Sequence, residues 1–423
     1  MCLGAMVAVN GGPAMTTSFV GWIDYSEKEK SRMLDALSQF NQGTLDELGI
    51  GVVRDGLSDL LFPGVSTIQT RARYFLIIPW IYRRVEAKRK ASRSSAALAR
   101  DIEAQVTESL RKSPDAKNQG VIGIEAGAAL QRPPSDIYWS GLRKWGVRLF
   151  EGSRDRYHRW LDQETRPQAP SEVAAESDNE EVESDRARTW HAGMPHPPAG
   201  FPTLDTLNLS PEEASYLREM ILTNVPHSLL ACLVRKPIDV SDSDLAWSEA
   251  GNWGLSPDLS QGLEAARRFS DLTYGALLFY NLLLSVEVKN ELIADYQGEL
   301  TKWGDSVLNS DLPRWDLREL WTIVEPVTGP VNPLTKEFVA KWQGLVADCQ
   351  KRQAPVTAMA ASADAQKLIR DREWSLKHGR ARLGNPERLA TWNGNSGAFA
   401  LNYRWPVVKS HVVDIQRGVF RGA

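Results

Sequence analysis

Eight cationic side chains, Arg71, Arg73, Arg83, Arg84, Lys88, Arg89, Lys90 and Arg93, fall within 23 residues that hold a single acid, Glu86. Tyr74, Phe75, Trp80 and Tyr82 are interleaved with them. Cationic groups neutralise phosphates and flat rings stack on bases, so the pattern predicts a nucleic-acid surface. The competing reading is a partly buried helix whose end is a solvated basic face. A second cluster combines Arg370, Arg372, Lys377, Arg380, Arg382, Arg388 and Arg404 with Trp374, Trp392, Tyr403 and Trp405. Its glycines, Gly379, Gly384, Gly394 and Gly397, permit close backbone approach, so the loop carrying Ser396 can cradle an anion on its amides. A tight connection braced by the flanking aromatics explains it as well. The residues expected to bind nucleic acid are Arg71, Arg73, Trp80, Arg83, Arg84, Lys88, Arg89, Arg380, Arg382 and Arg404.

Other chemistry is sparser. Asp55 and Asp59, four apart, share a face if helical, a geometry that holds a divalent ion in a phosphate-ester hydrolase or nuclease. Favourable acids at a helix N-terminus explain the pair equally. The stretch VIGIEAGAALQRPPSDIYWSGLRKWGV fits a helix-turn-helix capped at Ser135 and presenting Arg143 and Lys144. Ile137, Trp139, Leu142 and Trp145 offer plain core packing instead. The sequence holds no phosphate loop, H-E-x-x-H, G-x-S-x-G elbow or kinase set. His158, His191, His196, His227, His378 and His411 share no metal-ligand spacing, and Cys2, Cys232 and Cys349 have no C-x-x-C partner. No catalytic residue is assigned, and no metal or cofactor is implied.

The elements that must carry these residues are mostly helices. SFVGWIDYS alternates like a short strand, and Ser26-x-x-Glu29 opens a helix to about Phe40 with Met33, Leu34, Leu37 and Phe40 on one stripe. Gly49 to Gly56 reads as a turn or short strand. A helix from Ser66 puts Ile68, Ala72, Phe75 and Pro79 on one face, with Pro79 kinking or ending it. Helices are also expected at 97–112 and 135–145. After Ser210-Pro211-Glu212-Glu213, a strong helix start, they are expected at 226–235, 258–286, 289–307, 332–350, 364–378 and 406–417.

At 423 residues the prior is two or three domains. The clearest boundary is 163–203. Ser171 to Asp185 holds seven acids and no base, which cannot bury enough surface to offset its ordering entropy, and HAGMPHPPAGFP beyond it is irregular. The predicted fold is therefore mainly α: two helical lobes with a few short strands, joined by a disordered acidic linker. Its parts are a loose extension (1–17, translation starting at Met15), an N-terminal lobe with the basic helix (18–162), the linker (163–203) and a helical C-terminal lobe (204–423). The longest apolar runs, 75–82 and 272–286, fall short of the ~20 residues of a membrane span. The lone cysteines and the lack of a basic, then apolar, start point to the cytoplasm.

The segments SFVGWIDYSEKEK, VRDGLSDLLFPGVSTIQTRARYFLIIPWIYRR, DIYWSGLRKWGV and IRDREWSLKHGRARL, with W-x-G-x-S-G and YRW, resemble an uncharacterised bacterial family, domain of unknown function 6361. The resemblance implies a bacterial, cytosolic protein of antiviral or mobile gene clusters that include helicases and phospholipase-D-like nucleases. It carries over no catalytic residue. The leading expectation is a non-enzymatic component of a defence or DNA-handling system that binds DNA or RNA, or a helicase or nuclease partner, through its basic clusters. The alternatives are a phosphate-ester hydrolase or nuclease using Asp55 or Asp59, and a protein-binding scaffold.

Overall fold

The structure, a computed structural model, describes residues 46–88, 93–113, 120–124, 132–164, 189–240 and 243–420. The expected extension, strand and Ser26 helix lie outside the described residues. So do Arg89 and the acidic stretch 165–188. Among the described residues there are helices and a single isolated bridge, Arg148 to Trp190, and no strand. The expectation of a few short strands does not hold there.

The helices before the acidic stretch are α1 (Gly51–Leu61), α2 (Tyr74–Lys88), α3 (Ser95–Arg111), α4 (Pro134–Lys144) and α5 (Arg154–Glu164). Those after it are α6 (Pro211–Asn224), α7 (Leu229–Arg235), α8 (Pro257–Val288), α9 (Leu292–Leu308), α10 (Leu317–Thr328), α11 (Pro333–Arg352), α12 (Ala363–Lys377), α13 (Pro386–Leu389) and α14 (Trp405–Phe420). The turn or strand expected at 49–56 is α1 instead. Asp46 takes the amides of Ile50 and Gly51 at 2.7 and 2.8 Å, capping a helix from outside its own sequence pattern. The helix expected from Ser66 begins only at Tyr74. Pro79 neither starts nor ends it but lies inside, because every side chain from Tyr74 to Tyr82 is buried and packing outweighs the lost backbone bond. The capping box at Ser210 forms as expected: Glu213 N–H donates to Ser210 Oγ (3.2 Å) and Ser210 N–H to Glu213 Oε2 (3.0 Å).

One continuous core runs from Leu48 to Ile415. α1 packs on α8 and α10, and α14 on α6 and α7, so the expected division into two lobes gives way to a single packed body. α8 is its axis. It is long and apolar enough to cross a membrane, but 83% of its most apolar window is buried inside the protein, which reads as a core helix. Gly275 lets α9 close on it, since a Cβ there would lie 2.1 Å from the Trp303 ring. Most described tryptophans are buried, and several of their indole N–H groups hold main-chain carbonyls: Trp145 to Pro63 (2.9 Å), Trp303 to Asp271 (2.7 Å), Trp342 to Leu272 (2.9 Å) and Trp405 to Ser243 (3.0 Å). A buried indole needs such an acceptor.

Candidate functional site

The segment 189–209 follows the acidic stretch and was expected to be linker up to residue 203. It is instead a fixed strap lying along α2. Pro195, Pro197, Pro198 and Pro202 lack an N–H, so past its bridge to Arg148 at Trp190 the strap builds no helix or ladder, and its carbonyls draw donors from elsewhere. The basic and aromatic side chains of α2, and of the turn ahead of it, supply them. Arg83 donates to His191 O (3.0 Å), Trp80 Nε1 to Pro195 O (2.8 Å), Arg84 to Phe201 O (2.8 Å) and Arg73 to Thr206 O (2.8 Å). Arg71 reaches Asn208 Oδ1 at 2.9 Å. Glu86 anchors the start of the strap, accepting from Thr189 Oγ1 (2.7 Å), Trp190 Nε1 (3.0 Å) and the Tyr157 hydroxyl.

Two of these arginines are also ion-paired to helices beyond the strap. Arg73, 6% exposed, is bidentate to Glu213 through Nε and Nη2 (3.0 and 2.8 Å). Arg71 meets both oxygens of Asp414 (3.0 and 2.8 Å). Trp80, expected as an open stacking platform, is 1% exposed and packs edge-on against Phe201, so neither face is open to a base. Within the described part of the first cluster, Lys88 points to solvent.

In the C-terminal cluster Arg382, Lys377 and Arg404 turn toward carboxylates, whereas Arg372 donates to Leu48 O (2.8 Å), Gly49 O (3.1 Å) and Thr335 Oγ1 (2.9 Å). Arg382 is held by both oxygens of Glu47 (2.9 Å each) and by Ser396 Oγ (3.2 Å), and Lys377 pairs with the same Glu47. Glu373, fully buried, accepts from the Tyr280 hydroxyl, Lys377 (3.2 Å) and the amides of Arg382 and Leu383. These donors outweigh burial and hold its carboxyl below the ordinary range. The anion cradle expected around Ser396 is closed: its amide donates to Asn281 Oδ1 at 2.7 Å and its residue is buried. Arg404 bonds Asp59 (2.5 Å) and Val65 O (2.6 Å) and lies 3.9 Å from Asp55. The two carboxylates of the hydrolase alternative thus face a guanidinium. Arg380 is exposed. The helix-turn-helix reading meets a similar outcome: Tyr138, Trp139 and Leu142 of α4 are buried, and Arg143 pairs with Glu151 at 2.7 Å. Among the described residues no group of three His, Cys, Asp or Glu side chains could hold a metal ion.

Among the described residues, two open clefts flank the strap at Thr203–Asp205. One, of about 590 Å³, is walled by Pro198, Thr206, Asn208 and Ser210 with Arg73 at its base. The other, of about 760 Å³, lies against α3, with Gln105, Glu108, Ser109 and Lys112 opposite Pro202. The ridge between them is pinned by Leu204 N–H to Ser109 Oγ (3.0 Å). Beyond the Pro-rich irregularity of the strap, no local pattern marks these lining residues, because the clefts arise where a proline-bearing segment crosses two helices.

Fold and clefts together define a mainly helical protein whose described residues share one core, with a proline-rich strap between two open grooves. The chain belongs to a family of unknown function, DUF6361, whose profile matches residues 17–417. No curated protein and no solved structure matches it.

Proposed function

We infer that the chain is a non-enzymatic component that binds another protein, seating an extended segment of that partner in the clefts beside Thr203–Asp205. The observation that carries the reading is the charge of the walls. Asp205 lines both, Glu108 in the second is already paired with Arg111 (2.8 and 2.9 Å) and Lys112 (3.6 Å), and Arg73 in the first is bidentate to Glu213. Such a lining has its arginine and lysine committed to carboxylates and offers little to a polyphosphate. It suits a peptide, whose amides and side chains can use the Gln105, Asn208 and Thr203 groups over the apolar Pro198, Pro202 and Leu204. The partner class comes from the family resemblance: a helicase or a phospholipase-D-like nuclease of a bacterial defence cluster.

Co-purification of the full chain with such partners tests this directly. Capture that Asp205→Arg weakens at least tenfold, with an unchanged melting temperature, is the expected result. Gel shifts on DNA and RNA across a salt series form the opposing arm. Tight binding with a steep salt slope that Lys88→Glu and Arg380→Glu abolish would replace the protein partner with nucleic acid.

A further inference from the structure

The two clefts share the residues of the ridge between them, Thr203, Leu204 and Asp205. Their charged lining is Arg73 and Asp205 in one, and Glu108, Lys112 and Asp205 in the other. All but one of these side chains are spent inside the protein. Arg73 gives its three guanidinium nitrogens to Glu213 and Thr206 O, and Glu108 takes both Arg111 and Lys112. Among the described residues Asp205 meets no donor, and it is exposed on the ridge where both clefts reach it. The uncompensated charge of the site is therefore a single negative one, and complementarity asks for a cation.

That carboxylate stands on a fixed base. On one side Leu204 N–H donates to Ser109 Oγ (3.0 Å), which itself donates to Val106 O (2.8 Å), and on the other Thr206 O is held by Arg73 (2.8 Å). With both neighbours pinned, Asp205 pays no backbone ordering cost when a ligand arrives. Pro198 walls one flank of the ridge and Pro202 the other. Of the cations a peptide brings, a guanidinium suits this setting best: its planar fork spans both oxygens of a carboxylate, and its aliphatic stem covers apolar surface. We propose that the partner segment is basic and lays one arginine across the ridge, its guanidinium on the Asp205 carboxylate and its stem along the flanking prolines. The proposal rests on the reading of the clefts as a peptide seat.

Selection of an end-blocked decapeptide library on the immobilised full chain tests it. The selected sequences should share one arginine, and tryptophan at an exposed position of either cleft, Gln105→Trp or Asn208→Trp, should block them at an unchanged melting temperature. Citrulline in place of that arginine keeps its shape and removes its charge, and should weaken binding at least tenfold by fluorescence anisotropy. Asp205→Asn should do the same. Combining the two should cost little more than either alone, because one contact is then removed twice. Losses that multiply would overturn the proposal, as would selected peptides that the tryptophans block but that carry no arginine, and both results leave the peptide seat standing. If no peptide is selected, or the tryptophans leave binding unaltered, the seat itself falls and the arginine with it.

Discussion

The two basic clusters look alike in the sequence and do different work in the fold. Along α2 and the turn ahead of it the donors hold neutral carbonyls: Arg83, Trp80, Arg84 and Arg73 each take one from the strap, at His191, Pro195, Phe201 and Thr206. In the C-terminal region Arg382 and Lys377 neutralise a buried acid, sharing Glu47 with Glu373 beneath, while Arg372 holds the carbonyls of Leu48 and Gly49. The difference follows from what each faces. The carbonyls of a proline-rich segment are polar but uncharged, so a donor of any kind suffices and a Trp indole serves beside arginines. A buried carboxylate needs an opposing charge, because leaving it ionised and alone costs several kcal/mol. Arginine density therefore reports donor demand as readily as it reports phosphate.

The comparison is sharpest at Arg73, which belongs to both modes. Arg73→Met leaves Glu213 buried without its partner and should cost about 3–5 kcal/mol in urea unfolding. Pairing it with Glu213→Leu should recover most of that loss, although the Ser210 capping box then also goes. Equal losses in the single and double variants would show that the carbonyl bond to Thr206, and not the ion pair, is what matters.

A smaller effect appears on acidification. His411 on α14 is fully buried, edge-on to Phe75 and Trp145, with neither ring nitrogen hydrogen-bonded. Burial, with Arg71 nearby, pushes its pKa down from 6.5 to about 3. Above pH 6.5 the ring is neutral in both states and contributes no pH dependence. Below it the unfolded chain takes the proton first, so stability falls as pH drops from about 6.5 toward 3, by roughly 2 kcal/mol at pH 5. His411→Leu should flatten that part of the profile. A native His411 resonance titrating near 6.5 by NMR would contradict it.

The smallest effect belongs to a pure carbonyl donor. Arg84→Ala removes one partly exposed bond to Phe201 O and should cost about 1–2 kcal/mol. It should also raise hydrogen exchange in 198–206 ahead of the core, whereas a loss confined to global unfolding would mean the strap does not depend on its pegs.

Much of the helical architecture was legible. The Ser210 start is a local signal, since cap, proline and glutamate lie within four residues. Most second-half helices appeared from apolar spacing, within a few residues of their observed ends, but α10 (Leu317–Thr328) and the short α13 had no expected counterpart. α1 was missed because its cap comes from Asp46, across a turn, and α2 was misplaced because its buried face outweighs Pro79. The strap was misread for a related reason. Its composition matches a linker, and only the donors of α2, about a hundred residues away in sequence, make it rigid.

By itself the sequence determined most of the helix content and the Ser210 cap, because those depend on neighbours within one or two turns. The tertiary structure alone decided what the arginines are for. A guanidinium offers the same donors to a phosphate, a carboxylate or a carbonyl, and which one it meets is settled by chain brought from far away: Glu213 and Thr206 to Arg73, Asp414 to Arg71, Glu47 to Arg382.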